Sequence, residues 1–301
     1  VSRSWKKRLK RLTWPLEGLL LRLLFALFGA LSIDRASDLG GWVARRIGPR
    51  LGASRTARRN LTRAFPEKSP AEIEAIVTAV WDNFGRVFGE YPHLEAISDP
   101  DSGRIEIVGE AVVRAAHGEG RPLLFVTGHL GNFEVVPLVM RHLGMPIAVV
   151  YRAPNNPYVD RLLIKARKGA LDIIPKGAIG ARRIMDVLRR RGSLGLLVDQ
   201  KMNDGIPVPF FGRDAMTAPA AARLALRLKA PIILGRSERL GPGRFRLSAE
   251  RMVIDPEALA AAGLTGEAAD REIMTRINAR LEDWIRERPG EWFWLHRRWK
   301  D

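Results

Sequence analysis

Thr127-Gly128-His129-Leu130-Gly131-Asn132-Phe133-Glu134 is the segment of this chain best suited to chemistry. A histidine follows an apolar run, glycines stand on either side of it, and a glutamate comes five residues later. A neutral imidazole can take a proton from a hydroxyl near physiological pH. The spacing sets a condition. On a regular helix five residues turn the chain by about 500°, which leaves the two side chains roughly 140° apart. They can meet only if His129 is on a loop and Glu134 is in the first helical turn, a path that Gly128 and Gly131 permit. Glu134 would then hold the imidazole in one tautomer and stabilise the imidazolium, as a triad carboxylate does. The plain alternative is a loop histidine followed by a glutamate that favours the positive end of a helix.

Such a pair needs strands and helices to position it. Arg121–Thr127 and Ser193–Asp199 are continuous apolar runs of strand length, as buried parallel strands are. Ile105–Val108, Ile147–Tyr151, Asp172–Ile174, Pro231–Arg236 and Arg244–Arg251 are further strands. Between them, 109–117, 132–143, 158–168, 178–190, 218–228 and 266–286 have helical spacing. The alternation predicts an α/β fold, a mostly parallel central sheet flanked by helices. Ligands of such sheets bind at the carboxyl ends of the strands, where His129 stands. Residues 34–103 read as a helical subregion ahead of an α/β core at 104–301. Within it, Ser69-Pro70-Ala71-Glu72 starts a helix with Ser69 as its cap.

The 301 residues carry 50 Lys+Arg against 33 Asp+Glu, a net charge of +17. Residues 1–60 hold 14 basic and three acidic side chains, so most of the excess lies at the start. There it brackets an apolar stretch from Leu16 to Ile33, interrupted by Glu17 and Arg22. This layout predicts a membrane anchor over 1–33, as a single span or as a helix inserted in one leaflet. A buried helix of a soluble domain is the alternative. No small-residue cleavage site follows closely, which argues against a signal peptide. The charge also admits nucleic acid, but there is no zinc-finger spacing, basic zipper or RRM signature, and no aromatic interleaving of the basic residues. Cysteine is absent, which removes disulfides and thiol nucleophiles. No Gly-rich phosphate loop occurs at a strand–helix junction. His93, His117 and His142 read as bystanders. Without a further His/Asp/Glu cluster, neither a metal nor a cofactor is expected.

GHLGNFE resembles the H-x-x-x-x-[DE] motif of the lysophospholipid acyltransferase superfamily. More closely, it resembles the late acyltransferases of lipid A biosynthesis, the lauroyl/myristoyl transferases. Four further blocks agree in order: Tyr151-Arg152-Ala153-Pro154-Asn155-Asn156-Pro157, Leu197-Val198-Asp199-Gln200, Val208-Pro209-Phe210-Phe211-Gly212 with Thr217 and Pro219, and the terminus from Pro289 to Trp299. The resemblance covers most of 104–301. It implies acyl transfer from an acyl–acyl carrier protein to a hydroxyl of an anionic lipid A precursor of the Kdo–lipid IVA type. The place would be the cytoplasmic face of the inner membrane, without nucleic acid.

On the matching positions, His129 and Glu134 would be catalytic. Arg152, Asn132, Asp199, Gln200, Phe210 and Phe211 would bind substrate. Arg152 at a strand end suits a phosphate or an oxyanion, or else a surface ion pair. Asp199 would orient Arg152 or a substrate hydroxyl, or serve as a turn residue. The Val208–Gly212 loop would wall the acyl chain, or simply line the core. Trp292, Trp294 and Trp299 would face an interface, or pin the C-terminus to the core. Without a Cys or a G-x-S-x-G elbow, a direct transfer is expected rather than a covalent intermediate. Two other readings stand beside this one: acylation of a different lipid, a lysophospholipid or glycolipid, and a basic membrane- or nucleic-acid-binding protein without catalysis.

Overall fold

A computed structural model describes residues 3–167 and 172–299, with side chains from residue 11 onward. Five helices come first: α1 (Arg3–Gly29), α2 (Ile33–Ile47), α3 (Ala53–Ala64), α4 (Pro70–Glu90) and α5 (Leu94–Ser98). The chain then alternates through β1 (Ile105–Val108), α6 (Glu110–Gly118), β2 (Leu123–Thr127), α7 (Val135–His142), β3 (Ile147–Tyr151), α8 (Pro157–Ala166), β4 (Ile173–Pro175), α9 (Ala178–Arg189) and β5 (Ser193–Leu197). A hairpin of β6 (Ile206–Phe210) and β7 (Arg213–Thr217) precedes α10 (Ala220–Leu228). The chain closes with β8 (Ile232–Gly241), β9 (Arg244–Met252), α11 (Pro256–Ala261), α12 (Glu267–Glu287) and an irregular C-terminal segment.

The central sheet has seven strands in the order β1-β9-β8-β2-β5-β3-β4. From β8 to β4 every neighbouring pair is parallel. β9 runs antiparallel to β8, and β1 runs parallel to β9. The mostly parallel, helix-flanked sheet expected from the sequence is therefore present, with two reversed strands at one edge. Alternate residues of each strand face opposite sides. Leu124 and Val126 of β2 join one buried cluster with α3, α4, α10, α12 and the C-terminal tryptophans. Leu123 and Phe125 join another, with α5, α6 and α7. Both faces of the sheet are thus covered, as continuous apolar strands require.

The strand at 231–236 extends to Gly241, because β9 pairs with it across its full length. Val208–Gly212, read as a loop, belongs to a two-stranded antiparallel hairpin over 206–217. Its turn is Phe211-Gly212, both with positive φ, the backbone of a two-residue hairpin that matches strand twist.

α4 starts at the expected cap, Ser69, and Glu72 makes it a capping box: Ser69 Oγ accepts the Glu72 N–H at 3.3 Å, and the Glu72 carboxylate accepts the Ser69 N–H at 2.8 Å. α2 crosses α4 closely enough that a Cβ on Gly85 would run into the Gly40 carbonyl and the Ala44 side chain.

α1 contains a stretch, Arg11–Gly29, long and apolar enough to cross a membrane by length and composition. It lies along the folded protein. Gly18, Leu21 and Phe28 are buried, with Trp14, Leu24 and Phe25 half-buried, which is one helical face. Gly18 meets Tyr158 of α8 where no side chain would fit. Phe25 stacks on Tyr91 at 5.7 Å, and the Asn156 amide donates to the Trp14 carbonyl at 3.0 Å. Leu12, Leu16, Leu19, Leu20, Leu23 and Leu27 remain exposed, each by half or more of its surface.

The α2–α4 crossing yields a stability test. Gly85→Val inserts three carbons where two backbones touch, and overpacking of this kind typically costs about 1–3 kcal/mol. The variant should show a clearly lowered thermal midpoint beside a Gly118→Val control, whose side chain has open space and whose φ is not positive. A Gly85→Val midpoint equal to wild type would mean that α2 and α4 do not cross as described.

Candidate active site

β2 and β5 are parallel neighbours with Thr127 opposite Leu197. His129 and Asp199 each lie two residues beyond those ends, so the register itself sets them side by side. Asp199 is fully buried. Its Oδ1 accepts the His129 Nδ1–H at 2.8 Å, and its Oδ2 accepts the His129 backbone N–H at 2.7 Å. The Trp292 indole N–H also donates to Oδ2, at 2.7 Å. A carboxylate can only accept, so in the neutral ring the proton is on Nδ1 and Nε2 carries the lone pair. The Gln200 amide nitrogen lies 3.4 Å from Nε2. The imidazole packs edge-on against Phe133 at 4.7 Å, and its side chain keeps 14% of its surface exposed.

Burial works against charge on both members of this pair, and their mutual attraction outweighs it. Burial would lift the Asp199 carboxyl, yet His129 and the hydrogen bonds hold it well below the usual carboxylate range. Burial would lower His129, yet Asp199 raises it above its ordinary value of 6.5. Burial pushes the neighbouring His296 the other way, below its ordinary value, so His296 is neutral beside the Asp199 carbonyl. The His129–Asp199 attraction adds stability below about pH 6.5, where the unfolded imidazole is charged too. That contribution is lost as pH rises through the folded-state value.

Glu134 does not hold His129. It stands at the N-cap of α7, and the Gly131 turn, with φ +55°, carries it away from the imidazole. Both of its carboxylate oxygens are taken. Arg167 donates to Oε2 through Nε at 2.8 Å and to Oε1 through Nη2 at 2.7 Å, and the Tyr91 hydroxyl donates to Oε1 at 2.6 Å. Burial opposes the Arg167 charge, but Glu134 raises it overall. Burial and the Glu134 charge push Tyr91 well above its ordinary value, so its proton stays. Glu134 still acts on His129 through its charge, which favours the imidazolium.

Asn132 is fully buried beneath the loop. Its Oδ1 accepts the Glu134 N–H at 3.2 Å, and its amide donates to Glu90 Oε2 at 2.9 Å. Glu90 is bound in turn by the Ser37 hydroxyl and by Arg239, whose Nη2 lies 3.0 Å away. Asn83 donates to the Gly131 carbonyl at 3.0 Å. Asn132 therefore shapes the loop rather than facing a ligand. Arg152 is exposed on the loop after β3, in an open groove.

Phe210 and Phe211 are not brought to the loop's open side. Both are buried: Phe210 packs on Trp292 at 5.7 Å and Trp299 at 5.8 Å, and Phe211 on Trp294 at 5.9 Å. They stand one layer behind Asp199, because the hairpin folds back onto the C-terminal segment. Trp292, Trp294 and Trp299 are likewise buried, which makes them pins of the C-terminus. Asp199 as the partner of His129, and Arg167 and Tyr91 as partners of Glu134, were not read from the sequence. The first had a signal: two apolar strands that each end two residues before a polar side chain.

Burial of the Glu134–Arg167 pair leads to a second test. Removing one partner of a buried ion pair costs about 3–5 kcal/mol, because the other charge is left uncompensated. Arg167→Met should lower stability in urea unfolding by about that amount. Glu134→Gln combined with Arg167→Met should recover a large part of it. A stability loss in the double variant equal to the sum of the two single losses would mean that the pair is not coupled.

Comparison with known proteins identifies the family. The profile of the bacterial lipid A biosynthesis acyltransferases matches residues 5–301. The chain is 24% identical over 263 residues to the lipid A biosynthesis myristoyltransferase of Escherichia coli (strain K12), which spans 83% of this chain and 76% of that protein. It is equally similar, over the same length, to lipid A biosynthesis acyltransferase 1 of Shigella flexneri. The match along nearly the whole chain settles the family: this protein belongs to the bacterial lipid A biosynthesis acyltransferases, enzymes of acyl transfer in lipopolysaccharide biosynthesis.

Proposed function

We propose that the protein moves a fatty acyl chain from an acyl carrier protein thioester to a hydroxyl of an anionic lipid A precursor of the Kdo–lipid IVA type. His129 is the general base and Asp199 orients it. The observation that carries this reading is the Nδ1–H hydrogen bond to a buried carboxylate, which leaves the Nε2 lone pair for an incoming hydroxyl. As the acceptor oxygen attacks the thioester carbon, its proton passes to Nε2. The tetrahedral adduct then collapses, the C–S bond breaks, and the imidazolium returns the proton to the departing sulfur. Asp199 stabilises the imidazolium between the two transfers. Gln200, beside Nε2, is placed to hold the acceptor hydroxyl. Glu134, with Arg167 and Tyr91, keeps the loop in position and adds negative charge at a distance.

The same reading places the enzyme on the cytoplasmic leaflet of the inner membrane, with α1 lying in the plane. One face of α1 is docked on the protein from Trp14 to Phe28, so the six exposed leucines of the other face are what it offers to lipid. Arg11, Arg46 and Arg50, all exposed, supply charge that anionic headgroups attract.

Kinetics test the base. His129→Ala should lower the acyl-transfer rate by about 10²–10⁴. Asp199→Asn should also lower it and move the acidic limb of kcat/KM to lower pH, since the carboxylate that raises His129 is gone. In wild type that limb should lie above pH 6.5, because only the neutral imidazole accepts a proton. The double variant should be little worse than His129→Ala alone, as the two act as a unit. Thermal melts on the same samples separate chemistry from folding. Near-normal turnover by folded His129→Ala would end this mechanism.

Vesicle flotation tests the anchor. Leu19→Asp with Leu23→Asp changes only the exposed face of α1, and should reduce binding to vesicles containing phosphatidylglycerol by about tenfold or more. Unchanged flotation would remove this face from membrane binding.

A further inference from the structure

An open groove of about 640 Å³ lies at the carboxyl ends of β3 and β4, lined by Tyr151, Arg152, Asp160, Asp172, Lys176 and Arg183 among others. Its carboxylates are already engaged. Asp160 accepts the Tyr151 hydroxyl at 3.0 Å, and Asp172 pairs with Arg183, whose guanidinium also donates to the Ile173 carbonyl at 3.3 Å. Arg152 and Lys176 are the cations left over. Both are exposed, and neither has a carboxylate partner among the described residues. With Asp172 and Arg183 paired, Arg152 and Lys176 outweigh Asp160, so the lining carries a net charge of +1, which suits an anionic group.

The groove is linked to the loop that carries His129 through Arg167. Tyr151, on its wall, lies under the Arg167 guanidinium at 4.8 Å, and Arg167 holds Glu134. The Lys176 charge is felt at His129, where it opposes the imidazolium. Lys176 follows β4 directly, with its backbone N–H on the Tyr151 carbonyl at 3.2 Å, so its root is fixed while its ammonium is free.

We propose that this groove is a phosphate subsite, in which Lys176, together with Arg152, binds the phosphate group of a substrate. The proposal rests on the acyl-transfer reading above and adds to it a residue that selects for charge. Two substrates could bring the phosphate: the lipid acceptor through its headgroup, or the carrier protein through the phosphodiester of its prosthetic arm.

Steady-state kinetics on the full-length enzyme, with each substrate varied in turn, distinguish them. Lys176→Ala should raise one apparent KM by about tenfold, the effect of losing a charge-assisted contact that is partly exposed. Turnover should stay within about threefold, since the contact is made equally in ground and transition states. Lys176→Arg should restore most of the loss. A rise confined to the phosphorylated acceptor places the lipid headgroup in the groove; a rise confined to the donor places the carrier's phosphodiester there. Line broadening of inorganic phosphate in ³¹P spectra gives a readout independent of turnover, and should weaken in Lys176→Ala. If both KM values and the broadening match wild type, the subsite is wrong even though the enzyme is active. If wild type transfers no acyl chain while Lys176→Ala still loses phosphate broadening, the acyl-transfer reading fails and the subsite stands.

Discussion

The Asp199 carboxylate is the constraint around which the site is built. It is fully buried and accepts from the His129 ring, the His129 backbone and the Trp292 indole. An isolated carboxylate in that position would be very costly, and these donors are what make it tolerable. Each comes with a structural requirement. The two donors of His129 need β2 and β5 in parallel register, with equal overhang past their ends. The indole needs the C-terminal segment to fold back over the loop. It does so through the Gly131 N–H to the Glu291 carbonyl at 3.1 Å and the Phe293 N–H to the His129 carbonyl at 3.2 Å. Gly128 leaves the room, since a Cβ there would lie 3.1 Å from Asp199 Oδ2.

A second buried carboxylate, Glu134, sits only five residues from the base but belongs to a different network. The division follows from the turn. With Gly131 at positive φ and the Asn132 side chain bonded to the Glu134 N–H, the chain between His129 and Glu134 is bent rather than helical. Asp199 orients the imidazole, and Glu134 ties its loop to α4 and α8. The spacing of the motif thus encodes a loop shape, with the electrostatic effect of Glu134 on His129 exerted through space.

Much of the α/β core was legible because its strands are short apolar runs separated by helical periodicity. Ser69-Pro70-Ala71-Glu72 was legible because a helix cap is local chemistry. Three things were not. Strand order is a long-range property, so no local pattern said that the strand ending at Leu197 lies beside the one ending at Thr127. Without that neighbourhood, Asp199 read as a turn residue or a partner for Arg152. The β6–β7 hairpin was hidden by Pro207 and Pro209, which a two-stranded ribbon tolerates and a central strand would not. Phe210 and Phe211 looked like a ligand wall for the same reason. An apolar loop invites that reading, whereas a folded-back hairpin puts both rings against tryptophans. Sequence also left the anchor's posture open, and only the buried face of α1 distinguishes a docked helix from a free one.

α8 connects these parts. At its start, the Asn156 amide binds the Trp14 carbonyl and the Glu17 carboxylate at 3.0 and 2.9 Å, and Tyr158 fills the space over Gly18. Along its length, Asp160 and Ile164 line the groove after β3 and β4. Just past its end, Arg167 grips Glu134. A helix of ten residues is about 15 Å long. With α1 in the leaflet, as proposed, α8 sets the distance from the lipid surface to the base. The reacting hydroxyl of an amphipathic acceptor must lie at a depth its own anchoring allows. α8 bridges the anchoring helix and the catalytic loop. The buried Glu134–Arg167 pair has a role in this arrangement beyond stability. It fixes the far end of α8 to the loop that carries His129.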